Sequence, residues 1–380
     1  MANFTIGVEE EYQLVDPASS DLRSSARVVL ADDWTGELRK EIQESTVEIG
    51  TLVCPSSTSV RGDLARLRAQ AAAAAAAQDL EVVASGLHPF TDWRRHELTA
   101  GERYARMAET YGRLARDEHN YGMHVHVAVE GDRMRLLGAV RRYIPHLLAL
   151  SCSSPFHEGE DTGFASFRMV LWRRWPGATV PPRLGSDAEY RSFVDAQLRA
   201  GVLGDERNLY WMIRPHPAYP TLEFRMCDVC PTLDHAVAIA GLTRTLVCAA
   251  SEGMLPADPW SSWSEAAGDA ALSDDCWRAA RYGLDATVLA PTLPSGGVAM
   301  RDAVRRLIDV LRPVAEAIGE APALDGAGRI CETGNTADRL RALHATGCDL
   351  RLLVRWLARE TLLGTATDRR HEQREAMQCA

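Results

Sequence analysis

Phe4-Thr-Ile-Gly-Val-Glu-Glu-Glu-Tyr-Gln-Leu-Val15 alternates like a β-strand yet carries three carboxylates in a row. Successive strand side chains point to opposite faces, so Glu9 and Glu11 share one face and Glu10 lies on the other with Val8. Two like charges roughly 4 Å apart, at an effective dielectric near 20, repel by about 4 kcal/mol. The strand is therefore either an edge kept soluble by its charges or a shelf for divalent cations.

Three later stretches repeat the choice. In Thr46-Val-Glu-Ile-Gly-Thr-Leu-Val53, Glu48 faces away from Val47 and Ile49, and an acid inside an apolar strand needs a reason. In Tyr121-Gly-Met-His-Val-His-Val-Ala-Val129, His124 and His126 share one face, with Met123, Val125 and Val127 on the other. In Thr221-Leu-Glu-Phe-Arg-Met226, Glu223 and Arg225 lie together, opposite Leu222, Phe224 and Met226. Four strands thus offer hard ligands on one face: Glu9 and Glu11, Glu48, His124, and Glu223. Magnesium takes oxygen ligands and usually shares them with substrate phosphates. So many carboxylates imply two or more Mg2+ ions. Arg225 beside Glu223 sets a fixed cation next to a metal ligand, as phosphoryl transfer requires. The pattern points to nucleotide-dependent phosphoryl chemistry with several magnesium ions on a sheet.

The bulk properties agree. The chain has 380 residues, 46% hydrophobic and 25% charged, with a net charge of −10. That balance argues against a nucleic-acid partner. Neither a secretory signal nor a membrane-spanning segment is expected. Nine scattered cysteines read as reduced thiols of a cytoplasmic protein. Cys227 and Cys230 lack the second pair that a zinc site would need.

Strands concentrate early and helices late. Helices are predicted over 56–78, 101–118, 132–151 and 187–201. Further helices are predicted over 233–252, 273–283, 297–319, 335–345 and 348–364. Short strands are expected at Leu80–Gly86 and Leu209–Ile213, and loops at 153–175, 176–185, 258–268 and 321–328. No Gly-x-Gly-x-x-Gly opens a helix and no Walker A loop occurs. The fold class is α+β, a mixed or antiparallel sheet backed by helices, with a helical C-terminal third. Residues 1–365 read as one catalytic domain, sheet-rich over 1–230 and helical over 231–365, with a loose tail at 366–380.

Several stretches together resemble the carboxylate–amine ligases of the glutamate–cysteine ligase type 2 family, the YbdK-like group. They are Thr5-Ile-Gly-Val-Glu-Glu-Glu-Tyr-Gln-Leu, Glu44-Ser-Thr-Val-Glu-Ile-Gly-Thr, Gly86-Leu-His-Pro-Phe, Tyr121-Gly-Met-His-Val-His-Val, Ser153-Ser-Pro-Phe with Gly163-Phe-Ala-Ser-Phe-Arg, and Ile213-Arg-Pro-His-Pro with Pro220-Thr-Leu-Glu-Phe-Arg-Met-Cys-Asp. The resemblance implies a glutamine-synthetase-like catalytic fold and amide formation driven by ATP and magnesium through an acyl phosphate. Glutamate plus cysteine is the default pair of small-molecule acid and amine. By motif position it implies Glu9, Glu11, Glu48, His124 and Glu223 as metal ligands, with Glu223 and Arg225 in the catalytic step. Arg225 would meet the transferring phosphoryl group. Arg168, Arg214 and His126 would bind substrate or ATP, the arginines through bidentate forks. Glu41 and Glu44 are weaker candidates. Two departures bear on substrate choice: Met212 stands where the family often has an acid, and 173–182 follows the usual pattern only loosely. A guanidino-kinase-like phosphotransferase and an inactive nucleotide- or metal-binding scaffold are the alternatives. Homo-oligomerisation is left open.

Overall fold

The computed structural model describes residues 4–33, 35–257, 262–289 and 296–366. Its strands are β1 (Ile6–Val15), β2 (Leu38–Lys40), β3 (Thr46–Gly50), β4 (Glu81–Val83), β5 (Gly122–Ala128), β6 (Phe156–His157), β7 (Glu160–Asp161), β8 (Ile213–Pro215), β9 (Thr221–Asp228), β10 (Thr287–Val288) and β11 (Val298–Ala299). The helices are α1 (Ala26–Ala31), α2 (Ser57–Ala76), α3 (Glu102–Tyr111), α4 (Arg113–Arg116), α5 (Arg133–Val140), α6 (Ile144–Ser151), α7 (Phe167–Trp172) and α8 (Asp187–Arg199). The helical part holds α9 (Leu233–Ser251), α10 (Glu265–Tyr282), α11 (Met300–Ile318), α12 (Ala321–Thr333), α13 (Thr336–Ala345) and α14 (Leu350–Leu362).

The main sheet runs β2-β3-β1-β5-β9-β8, and β4 pairs with the end of β1. Every pairing is antiparallel. The alternation in β1 sets its two faces. Ile6, Val8, Tyr12 and Leu14 are buried in the core, whereas Glu9 and Glu11 lie on the half-open face. Helices α2, α6 and α9 cover the apolar side. Among the described residues, only α9 is long and apolar enough to cross a membrane, and 89% of its apolar window is buried inside the fold.

Glu10 is the exception on the apolar face. Arg68 of α2 meets it in a fully buried ion pair, with Nε at 2.9 Å and Nη2 at 2.6 Å from its two oxygens, and the Tyr12 hydroxyl donates to it as well. The other Arg68 hydrogens reach the carbonyls of Pro231, Cys230 and Thr361. One side chain therefore ties together β1, α2, the entry to α9 and the end of α14.

Several expected elements differ. Residues 321–328 are not a loop but the start of α12, whose Pro322 sits in the first turn, where no amide is lost. Its Gly326 lets α12 approach α9 closely, because a Cβ there would lie 2.8 Å from Ala238. That glycine content mimics a loop in sequence. The 132–151 segment splits into α5 and α6 around Pro145. The 101–118 segment breaks at Gly112, whose φ of 57° ends α3. Helix α10 begins at Glu265, capped by Ser264, instead of at 273; of the loop expected at 258–268, residues 258–261 lie outside the described residues. The strand expected at Leu209–Ile213 occurs as β8, Ile213–Pro215. The tail expected at 366–380 lies outside the described residues from 367 onward. Cys227 and Cys230 are both buried free thiols.

Candidate active site

Register brings the polar groups together. Glu11 pairs with Glu48 across β1 and β3, and Glu9 with His124 across β1 and β5. His126 pairs with Glu223 across β5 and β9, and Glu223 with Arg214 across β9 and β8. Arg39 of β2 stands opposite Glu48. On one face these positions are neighbours, so residues more than 200 positions apart share one cleft.

That cleft encloses about 210 Å3 and is lined by Glu9, Glu11, Glu48, His124, Arg168, Arg214, Glu223 and Arg225, among others. His126 is not in its wall; it is buried, with Nε2 3.3 Å from Glu9 Oε2 and Nδ1 3.4 Å from the Thr221 hydroxyl. Two groups of ligand-capable side chains form. Glu9, His126 and Glu223 bring one ligand atom each within 4.8 Å of one another, and so do Glu11, Glu41 and Glu48. Ligand atoms around one magnesium ion stand at most about 4.2 Å apart, so each group needs only a small contraction to close on a cation. His124 Nδ1 borders the first group, 3.4 Å from Glu9 and 3.9 Å from Glu223.

The acidic segment at 37–48 divides by function. Glu41 completes the second group. Glu44 accepts the Arg27 amide at 3.0 Å and so holds the start of α1. Glu37 pairs with Arg66 on the surface. Spacing alone could not have separated Glu41 from Glu44, because the chain between β2 and β3 is irregular.

The electrostatics call for added positive charge. Burial, and then the neighbouring Glu41, push the Glu11 carboxyl up to about 8, against Arg168, the Gly122 amide and Arg225. Burial also raises Glu41. Burial followed by Glu41, Glu9 and Glu11 raises Glu48 well above the usual range. The first group behaves otherwise. Burial alone would raise Glu9, but the adjacent imidazoles of His124 and His126 hold it well below. Burial would likewise raise Glu223, but Arg225 and Arg214 hold it far below. Burial and Arg225 push His124 down to about 4, leaving a neutral, ligand-ready imidazole at pH 7. Hard oxygens that cannot all ionise unaided suit a divalent cation.

A pH dependence follows. The folded-state affinity of Glu11 for its proton exceeds the unfolded one, so its stabilisation is complete below the unfolded value near 4.5 and is lost as pH rises through about 8. Burial holds His88, His119, His146 and the half-buried His235 below the usual imidazole range, which tilts stability the other way up to about pH 6.5, so the Glu11 effect is read as a difference between proteins. Without divalent ions, the thermal midpoint of Glu11→Gln is expected to gain on that of wild type between about pH 5 and 8, and millimolar Mg2+ is expected to shrink the difference. A variant that gains nothing on wild type over this range in metal-free buffer would refute the repulsion.

The arginines differ in what they hold. Arg214 places Nε 2.7 Å and Nη2 3.3 Å from the two Glu223 oxygens, and its Nη1 donates to the carbonyls of Arg207 and Leu209. Its fork is thus closed on Glu223. Arg225 also donates to Glu223, while its Nε is buried without a partner. Arg168 is buried with Nε unpartnered, and its Nη1 lies 3.8 Å from Asp228. Asp228 explains why three separate motifs cluster. It accepts the Ser153 amide at 2.9 Å and the Ser154 and Ser166 hydroxyls at 2.7 Å each. Gly86 packs so close that a Cβ would lie 2.7 Å from the Asp228 carboxyl. This buried knot fixes α7 and with it Arg168. Met212 is fully buried and outside the cleft wall.

A glutamate–cysteine ligase from Francisella tularensis, solved in complex with AMP, superposes with a TM-score of 0.69 at 14% identity, covering 95% of this chain and 89% of that one. A bifunctional glutathione synthetase from Pasteurella multocida superposes with a TM-score of 0.66 at 16% identity, covering 94% of this chain and 52% of that one. The fold is therefore the glutamine-synthetase-like one of these ligases, and the chain is an ATP-dependent carboxylate–amine ligase, an enzyme that forms C–N bonds. It belongs to glutamate-cysteine ligase family 2, whose model matches residues 5–374. A relative in Thermobifida fusca (strain YX), named "Putative glutamate--cysteine ligase 2", is 36% identical over 375 residues, covering 95% of this chain and 91% of that protein. One of the same name in Solibacter usitatus (strain Ellin6076) is 33% identical over 374 residues, covering 95% and 94%.

Proposed function

We propose that the protein joins the side-chain carboxylate of glutamate to an amine, cysteine by default, through an acyl phosphate made with ATP. The observation that carries this reading is the pair of acidic groups on one sheet face with Arg225 beside them. In this reading Glu11, Glu41 and Glu48 hold one Mg2+, and Glu9, Glu223 and a histidine, His126 or His124, hold another. When bound, such ions neutralise phosphate charge as it moves from ATP to the acid. Arg225 steadies the transferring phosphoryl group, since it lines the cleft beside Glu223. Arg168, which also lines the cleft, receives a substrate carboxylate or phosphate. Arg214 acts through Glu223, keeping it ionised and aimed. Phosphorylation is needed because a carboxylate offers only oxide as a leaving group. The described residues act as one catalytic unit in the cytoplasm, where ATP and reduced thiols occur together.

The test is a screen of amino acids and amines for ADP release that requires both an acid and an amine, with mass detection of the amide. A phosphorylated product without amide would favour a phosphotransferase. ATP hydrolysis insensitive to both partners would sink the ligase reading.

Gly122→Ala tests the Arg168 assignment. A Cβ at Gly122 would lie 2.3 Å from Arg168 Nη2 and 3.3 Å from His124 Nε2. Displacing a positioned group by about 1 Å costs on the order of 100-fold in rate. That loss is expected in the amide assay with an unchanged circular dichroism spectrum; wild-type turnover would show that Arg168 is not engaged.

A further inference from the structure

We propose that Glu118 is the acceptor-amine site, holding the incoming amine as its ammonium against an aromatic wall and taking a proton from it before the C–N bond forms. The proposal rests on the ligase reading above and adds the residue that reads the second substrate.

Glu118 follows α4 and enters the same cleft as the acidic groups, but it belongs to neither of them. Its Oε2 accepts the Trp175 indole N–H at 2.5 Å, and its Oε1 accepts the Asn120 side-chain amide. Both donors are neutral. Among the described residues no arginine or lysine lies within ion-pair distance of it. The neighbouring Asp117 takes the nearby cation instead, with Arg174 Nη1 2.8 Å away. A cleft carboxylate is thus oriented by two neutral hydrogen bonds with no direct ion pair, Arg174 and Arg168 acting on it only from farther away, and that is costly unless a cation arrives.

The surroundings say what kind of cation. The Trp175 ring packs 5.2 Å from Tyr210 and 4.8 Å from Tyr111, and Trp175 and Tyr210 both line the cleft. Aromatic faces beside a carboxylate recognise an ammonium group. A hydrated magnesium ion would prefer the oxygen-rich groups on the sheet.

The chemistry needs such a residue. An ammonium has no lone pair and cannot attack. One proton passes from nitrogen to the Glu118 carboxylate. The freed lone pair then forms the bond to the acyl carbon, the carbon–oxygen bond to phosphate breaks, and the phosphate leaves with that electron pair. The second nitrogen proton is lost to the departing phosphate or to solvent. Burial, partly offset by the Trp175 hydrogen bond and by Arg174 and Arg168, pushes Glu118 up to about 7, which suits a proton acceptor at neutral pH.

The experiment compares wild type with Glu118→Gln and Glu118→Asp, using L-glutamate as the acid. Two nucleophiles are compared: L-cysteine, replaced by the amine the screen selects if that differs, and hydroxylamine, which is uncharged at neutral pH and needs neither anchor nor base. For E118Q, KM for the amine is expected to rise at least ~10-fold and kcat to fall. ATP and glutamate KM values and hydroxamate formation are expected to stay within about twofold. E118D is expected to recover part of the loss. An unchanged amine KM in E118Q, or an equal loss of hydroxamate and amide, would overturn the proposal. A wild-type enzyme that forms neither hydroxamate nor amide would instead overturn the ligase reading beneath it.

Discussion

Glu48→Gln is expected to lower ATP-driven amide formation by about 1,000-fold or more while raising metal-free stability. Glu48 lies between Glu11 and Arg39 in the sheet, and burial and three neighbouring carboxylates raise its proton affinity well above the usual range. A group raised in this way stabilises the fold fully below its unfolded value of 4.5 and loses that contribution as pH climbs. Glutamine resembles the protonated acid and does not titrate. The variant should therefore match wild type near pH 4.5 and exceed it by about 1–3 kcal/mol near pH 8, a few degrees in midpoint. Added Mg2+ should raise the wild-type midpoint more than that of the variant. The measurement is differential scanning fluorimetry with and without Mg2+, beside the amide assay. Glutamine gives up the ion pair to Arg39 at 3.6 Å, but that arginine is half-exposed and the pair is worth little. A large drop in metal-free midpoint would show that Glu48 is a structural partner of Arg39 and not a cation ligand.

The second large effect falls on stability. Arg68→Met is expected to destabilise the protein by about 3–5 kcal/mol, because it strands a buried carboxylate at Glu10 and three backbone carbonyls. Replacing Glu10 by Leu in the same molecule should return much of that loss, since an apolar pair of similar volume removes the stranded charge. Chemical denaturation of both variants decides it. A single variant within about 1 kcal/mol of wild type would mean that the pair contributes nothing net.

These two glutamates show how far the chain could be read directly. Glu9, Glu10 and Glu11 are identical in composition, and the period of two alone assigned Glu10 to the other face. Its neutralising partner lies in an alanine-rich helix that nothing in the sequence marks as its neighbour. Likewise Glu41 and Glu44 look alike, yet one joins the cation-ready group and the other holds the start of α1. Helix α12 was hidden because the glycine that permits its close packing on α9 also reads as a loop. Glu118 and Trp175 carried no periodic signal, since both lie outside the sheet.

The sequence by itself determined which face of each strand its charged side chains take, because strand geometry forces alternation and apolar residues claim the other face. Its motifs also determined the family. Only the tertiary structure decided which of those side chains meet. Pairing register is a long-range property: it sets Glu11 against Glu48, Glu9 against His124 and His126 against Glu223. It arises from the packing of whole strands on α2, α6 and α9, and no local stretch encodes it.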